Sequence, residues 1–388
     1  MKRIFAIFII LCCIHFWKII YLPTEIFDFA DVIALLIASI SFFQCWGKNY
    51  LLFRNAIILL FIGYILNIAS AYINQGQSPI ETFKTFGSLG YYYIIFYFVL
   101  HNIEISRKEL EQIIIIFAVL FSLIYVIQVL NYPQRIVRAV GSVARGTIRF
   151  RIEGNGFLVL AYFLLLNRYL LYHRIINLLL ALGFFIILIM GGFRTLTFGA
   201  FLLTGLMVIK LARFSPWNYA VIFLLVLFFV GLFKTGGSSK ILNEMINNTI
   251  NQKEQGENYI RIRQIEYFYS SYPKNISYFI VGGGMPGTRS AYAQSTKTIE
   301  MNYKFLWVDI GLFGFYIVIG CVTILGLLWY TLRAIFIKLP RDRLYLNYYF
   351  AYLLIASFTT MEIFRPGIFA VEAIGLYLID DAVLNKDS

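Results

Sequence analysis

Charge is what this chain has least of. Only 14% of its 388 residues are Asp, Glu, Lys or Arg, while 60% are apolar and 18% aromatic; a water-soluble chain carries roughly 25% charged and 45–50% apolar residues. There is too little polar side chain to cover a core of this size in water, which excludes soluble, disordered and fibrous classes. Cysteine is scarce too. Cys12, Cys13, Cys45 and Cys321 all lie inside apolar runs, where a thiol packs as a small hydrophobe and indicates neither a disulfide framework nor a metal site. Only three histidines exist, at 15, 101 and 173, and none has a neighbour at metal-ligand spacing. Asp-x-Asp, Ser/His/Asp and His-Glu-x-x-His patterns are absent, as are fixed-period repeats and low-complexity tracts.

What the chain has instead is apolar length. Runs able to cross roughly 30 Å of hydrocarbon as helices fall at 4–22, 29–46, 51–73, 86–103, 110–130, 156–172, 175–191, 194–212, 216–233, 305–332, 344–364 and 367–384. The expected fold is therefore all-α: a polytopic bundle of about twelve spans forming a single integral membrane domain over 1–388. Eleven spans are the alternative, because Glu372, Asp380 and Asp381 weaken the last run. Helices rather than barrel strands are required, since each run is continuously apolar instead of alternating. Met1-Lys2-Arg3 and the run Ile4 to Tyr21 read as a retained span: no small-x-small cleavage site follows, and Cys12 lacks the small residues that precede a lipidated cysteine.

The formal charge is +13, from 33 basic and 20 acidic residues. In a chain this apolar the excess does not mark a nucleic-acid binder; basic residues first mark cytoplasmic loops. Placing both termini inside puts Lys2 and Arg3, Lys48 and Arg54, Arg107 and Lys108, Arg168 and Arg174, Lys210 and Arg213, and the Arg333 to Arg343 cluster on the cytoplasmic side. The short outer loops then hold only Lys84, Arg194 and Arg365. Two outer segments depart from this rule. The first is 131–155, with Arg135, Arg138, Arg145, Arg149 and Arg151; the second is the large loop 234–304. In that loop, Ile241 to Ile250 and Ile265 to Tyr272 carry helical apolar stripes, which predict short amphipathic helices on the membrane or roofing the bundle. Arg261 projects with the apolar side of the second stripe, and Arg263 nearly opposite.

Chemistry is therefore sought in the outer arginines. Guanidinium binds phosphate oxygens bidentately and stays charged in a partly dry site, so the 135–151 cluster, Arg194, Arg261, Arg263, Arg289 and Arg365 suit a lipid-linked diphosphate. Snorkelling to headgroups and pairing with Glu257 or Glu266 are the plainer readings. Glu300 and Asp309 flank the entry to the 305–332 run, and either could take a hydroxyl proton, or could simply favour a helix N-terminus. Glu372 lies within a span, as a proton-coupling group would. Glu153 balances the arginine-rich loop. Gly282-Gly-Gly-Met-Pro-Gly287 satisfies G-x-G-x-x-G formally, yet Pro286 and the outer address point to a tight glycine turn rather than a nucleotide site. No cofactor and no metal are expected.

Three short motifs resemble the O-antigen polymerase and O-antigen ligase superfamily of bacterial envelope glycosyltransferases. Gly191-Gly-Phe-Arg194-Thr195 opening an apolar helix is similar to its small-x-Arg-Ser/Thr start of a span. Arg261 or Arg263, an aromatic helix, Pro273 and Gly282-Gly-Gly284 resemble its Arg, aromatic, Pro, Gly-x-Gly loop. Asp309-Ile-Gly311-Leu-Phe-Gly314 resembles its acid-x-Gly-Leu-x-Gly entry to the next span. The ligase branch places His-Asn before that last motif, where this chain has Glu300-Met-Asn302, so the resemblance favours the polymerase branch.

It implies an inverting, metal-independent transfer at the outer face of the bacterial inner membrane. A polyprenyl-diphosphate-linked oligosaccharide would be donor and acceptor, and a chain-length regulator a partner. Arg194, Arg261 and Glu300 would be catalytic, with Arg145, Arg149, Arg151, Arg263 and Arg289 on the diphosphate and Asp309 in support. A ligase moving finished glycan to a lipid core, and a polysaccharide or lipid transporter using Glu372, are the alternatives. Tyr267 to Tyr272 suit sugar stacking or interfacial anchoring.

Overall fold

Apolar runs of this length fold as helices because a helix satisfies its backbone N–H and C=O groups within one segment, as hydrocarbon demands. The computed structural model describes residues 2–48, 50–139, 141–144, 147–150, 152–192, 194–211 and 259–384, and among these not the side chains of 24, 28, 142–149 and 194. Helices α1 to α9 cover Lys2–Cys13, Thr24–Gln44, Arg54–Gln75, Pro79–Ser88, Phe96–Ile103, Arg107–Leu130, Asn155–Tyr172, Ile175–Met190 and Arg194–Leu211. A hairpin, β1 (Gly141–Ala144) and β2 (Thr147–Phe150), lies between α6 and α7. Helices α10 to α15 follow at Ile260–Ser270, Ser277–Val281, Ala291–Tyr303, Leu312–Phe336, Leu344–Ser357 and Ile368–Leu384.

Five helices are long and apolar enough to cross a membrane: Glu25–Gln44 of α2, then α3, α6, α7 and α13; α8 and most of α9 are shorter apolar helices. Exposed apolar residues recur along the outer ones at helical spacing, as Val32, Leu36, Ile40 and Phe43 on α2 and Ile116, Leu120, Leu123 and Ile127 on α6. Such rows suit contact with lipid rather than water. The centre is different. α15 is buried along nearly its whole length, as is most of α7. Two acids that weakened the last run, Glu372 and Asp380, are fully buried there: Tyr330 donates to Glu372 Oε2 at 2.6 Å, Tyr97 donates to Asp380, and His101 Nε2 lies 3.2 Å from Asp380.

Three expected spans are not single helices. The run 86–103 is divided into the end of α4, a 3-10 turn at Tyr91–Ile95 and α5. Gly90, in the left-handed region, turns the chain, and Tyr91 to Leu100 are buried inside the bundle, where a segment needs no bilayer length. The run 344–364 stops as a helix at Ser357. In 4–22, α1 ends at Cys13, and His15, Phe16, Trp17 and Lys18 all adopt positive φ. The expected span 216–233 and the stripe 241–250 lie outside the described residues, so the expected count of twelve is not reached among those described.

The triple glycine is a structural joint. α13 is broken at Gly320 (φ 81°), and residues 282–284 run against the break. Gly283 N–H donates to the Ile317 carbonyl at 2.8 Å and Gly284 N–H to Val318 at 3.0 Å. From α3, Asn67 donates to the carbonyls of Val281 and Val318 at 2.9 and 2.7 Å, and Ser70 donates to that of Gly282. A Cβ at Gly282 (φ 82°) would overlap the Val318 carbonyl, and one at Gly320 the backbone of Val281. Only glycine allows this approach, which leaves no room for a nucleotide.

At the end of the bundle holding residues 101–111 and 333–345, Arg107, Arg168 and Arg343 are paired with acids. Buried Glu111 accepts from Arg107 at 2.7 Å, Arg168 at 2.6 Å and Tyr345 at 2.9 Å; Arg107 also pairs with Asp342, and Arg343 with Asp381 at 2.6 Å.

Candidate functional site

The opposite end carries the arginines singled out above. Arg135, Arg138, Arg261, Arg263 and Arg289 form no ion pair among the described residues. Arg138 donates to the Leu22 carbonyl at 2.6 Å and lies over Phe27, and Arg263 lies over Phe305 at 5.9 Å. Arg289 is exposed, with its backbone N–H donating to Glu81. Arg261 is half-buried on α10. The buried face of that helix is Gln264 and Phe268 rather than Ile265, which is exposed; the stripe is rotated by about one position, the alternative pairing of Arg261 or Arg263 with Glu266 does not occur, and Glu257 lies outside the described residues.

Two concavities lie at this end. The first is a narrow crevice of about 30 Å³ among α6, α7, α8 and α9, with Phe121, Leu158, Ile187 and Leu196 in its walls and Phe150, Asn155, Gly191 and Arg365 at its polar end. Phe150 closes β2, so the arginine-rich hairpin contributes to the wall. Its register pairs Gly141 with Phe150 and Ser142 with Arg149. Arg194 is the first residue of α9, two residues before Leu196, and the neighbouring Thr195 Oγ1 accepts from Thr359 at 2.9 Å. Arg365, 15% exposed, lies 3.2 Å from fully buried Glu362, whose other oxygen accepts from Asn155 at 2.8 Å. The amide oxygen of buried Asn155 has no donor among the described residues. Arg145 and Arg151 lie outside the described residues.

The feet of the hairpin segment are clamped by the chain's first turn. Ile20 N–H donates to the Ile136 carbonyl at 2.9 Å and Arg138 N–H to that of Lys18 at 2.8 Å. At the other foot, Glu153 meets His15 Nδ1 at 2.6 Å and Lys18 Nζ at 2.7 Å; His15 Nε2 lies 2.9 Å from Asp31, to which Tyr93 also donates. Burial opposes charge on Glu153, but the hydrogen bond and charge of His15, with Lys18, outweigh it and hold the carboxyl below the usual range. Glu153 thus balances Lys18 and His15 among the described residues.

The second concavity, of about 110 Å³, lies between α10, α12 and the segment 305–307. Its lining is Phe268, Thr296, Ile299, Glu300, Phe305, Leu306 and Trp307. Thr296, Ile299 and Glu300 share one face of α12, a helix capped by the Ser290 hydroxyl on Ala293 N–H at 2.9 Å. Glu300 is exposed; its carbonyl accepts from Lys304 N–H at 2.8 Å, and its carboxylate makes no hydrogen bond or ion pair among the described residues. Asp309 lies in the 3-10 turn Trp307–Ile310. The glycines after it are steric: Gly311 (φ 56°) abuts the carbonyls of Ser357 and Phe358, and a Cβ on Gly314 would strike that of Trp307. The turn thereby fixes Trp307. A row of rings joins the two concavities, from Trp307 to Phe315 at 4.9 Å and on to Phe364, stacked at 4.1 Å and next in sequence to Arg365.

The structure therefore gathers the hairpin, the α9 start carrying Arg194, and Arg365 around the crevice, and places Glu300 in the second cavity, with Arg261 and Arg263 on the adjoining α10. Arg289 stands apart, near Glu81. Sequence reading gave Arg365 no ranked role; Glu362 three positions earlier, in the same outer turn, was the available signal. The His15, Asp31 and Glu153 cluster gave none, being assembled from distant segments. No family model, curated protein or solved structure matches the chain.

Proposed function

We propose that this chain is a glycosyltransferase that polymerises oligosaccharide repeat units carried on polyprenyl diphosphate. The reading is supported above all by the make-up of the crevice: Arg365 and Asn155 give it a polar end beside the arginine-rich hairpin and the start of α9, while its other walls are largely apolar. An amphiphile with a doubly charged head and a hydrocarbon tail matches both features. Guanidinium groups from Arg194, Arg365 and the hairpin, with Arg261 and Arg263 from the roof, hold the diphosphate and stabilise the charge that develops as the sugar C1–O bond breaks. Glu300, without an acidic or basic partner among the described residues, takes the proton of the attacking hydroxyl. The transfer is inverting and uses guanidinium charge where other transferases use a metal.

A deletion strain tests the reading. Gel banding of its envelope polysaccharide is expected to show core bearing a single repeat unit, restored to a full ladder by the wild-type gene and not by Arg194→Ala or Arg261→Ala at normal protein level. Bare core with accumulated lipid-linked polymer would indicate a ligase instead, and absence of repeats outside the cytoplasm a flippase. The site's address is checked by cysteine labelling in a background lacking the four native cysteines. Lys304→Cys should react with an impermeant maleimide added from outside, and Arg341→Cys only after permeabilisation; the reverse pattern would place the arginines in the cytoplasm and remove the reading.

A further inference from the structure

The aromatic cavity differs chemically from the arginine crevice. One side is built of Phe305, Trp307 and Phe268; the other offers the Glu300 carboxylate and the Thr296 hydroxyl. At about 110 Å³ it holds three to four waters' worth, water occupying about 30 Å³ each in the liquid, so it receives one side of a single ring rather than a chain. A lipid tail would leave the carboxylate facing hydrocarbon. A phosphate would meet the Glu300 charge.

We infer that this cavity is a saccharide subsite that takes a single pyranose ring, its C–H face against Trp307 and Phe305 and its hydroxyls donating to Glu300. A pyranose ring has the required two-sidedness: one face of C–H groups, which the electron-rich face of an indole or phenyl attracts, and an edge of hydroxyl donors, for which a carboxylate is the strongest acceptor. The platform is rigid. Phe305 is held by Tyr267 at 5.5 Å and Tyr303 at 5.8 Å, and Trp307 by Phe315. Gln264 donates to the Lys304 carbonyl at 3.2 Å just before Phe305, and its buried amide oxygen has no donor among the described residues. On the polymerase reading, on which this last step rests, the ring is the terminal sugar of the acceptor, and its hydroxyl next to Glu300 is the one that attacks.

The full-length protein in lipid nanodiscs, titrated with a panel of methyl glycosides of neutral hexoses and deoxyhexoses, tests the site by saturation-transfer NMR without any polymerisation. Saturation of ring C–H protons is expected for at least one glycoside, weakened about tenfold in affinity by Trp307→Ala, by Phe305→Ala and by Glu300→Gln, and unchanged by Gly183→Ala, at a helical position with open space around it. Trp307→Phe should recover part of the loss. Glu300 is exposed, so Glu300→Gln keeps the test meaningful if an aromatic variant fails to fold. No saturation across the panel, equal saturation in wild type and all three variants, or competition by tetramethylammonium in place of sugars would overturn the proposal. Sugar binding that depends on Trp307 in a protein whose deletion leaves the polysaccharide ladder intact would keep the subsite and reject the polymerase.

Discussion

Arg365→Ala should lower repeat-unit polymerisation by about 10²–10³-fold, the usual cost of removing one preorganised charge donor from developing negative charge. The same change removes the cationic partner of Glu362, which is fully buried, and breaking a buried pair from one side costs about 3–5 kcal/mol. Rate and stability must therefore be separated. The double variant Arg365→Ala, Glu362→Gln leaves no unpaired carboxylate and keeps an acceptor for Asn155 Nδ2. It is expected to melt close to wild type while remaining as inactive as the single variant. In vitro extension of lipid-linked repeat units, read as a ladder beside a thermal melt of the same preparation, gives both numbers. Activity restored in the double variant would make Arg365 a structural counter-ion only.

The second large effect is on folding. Gly282→Ala must place a Cβ against the Val318 carbonyl in a backbone at φ 82°, combining left-handed strain with overpacking at a broken helix. Together these are expected to cost about 3–5 kcal/mol, enough to erase the folded peak in fluorescence-detected size exclusion. Gly183→Ala, at a helical position with open space around it, should change the melt by less than about 0.5 kcal/mol. If Gly282→Ala elutes and melts like Gly183→Ala, residues 282–284 are not wedged between α3 and α13.

What could be read from the sequence follows from which physical signals are local. Long apolar runs announce helices wherever the segment must face lipid, and α2, α3, α6 and α13 appear where hydropathy put them. The run 86–103 failed because composition cannot distinguish lipid-facing from protein-facing apolar residues: Tyr91 to Leu100 are buried among other helices. The hairpin 141–150 reads as a charged loop in sequence, because its connection Arg145-Gly146 is none of the Asn-Gly, Asp-Gly or Gly-Gly pairs that mark a two-residue turn. For the site, arginine on the outer segments was legible residue by residue, whereas its grouping was not. The pairing of Arg365 with Glu362 is local, but their joining with Asn155 across 207 positions is a property of packing. Likewise Phe305 and Trp307 are unremarkable in a chain with 18% aromatics until α10 and α12 close around them.

The hydrogen bonds that tie residues 281–287 to α3 and α13 also decide how that segment can move. A cover fastened to two membrane helices by backbone groups, with Asn67 and Gln77 each holding it through both ends of their amides, does not swing on a hinge. Any shift of α3 or α13 therefore carries α11 and the start of α12 with it, a coupling in which no flexible link intervenes.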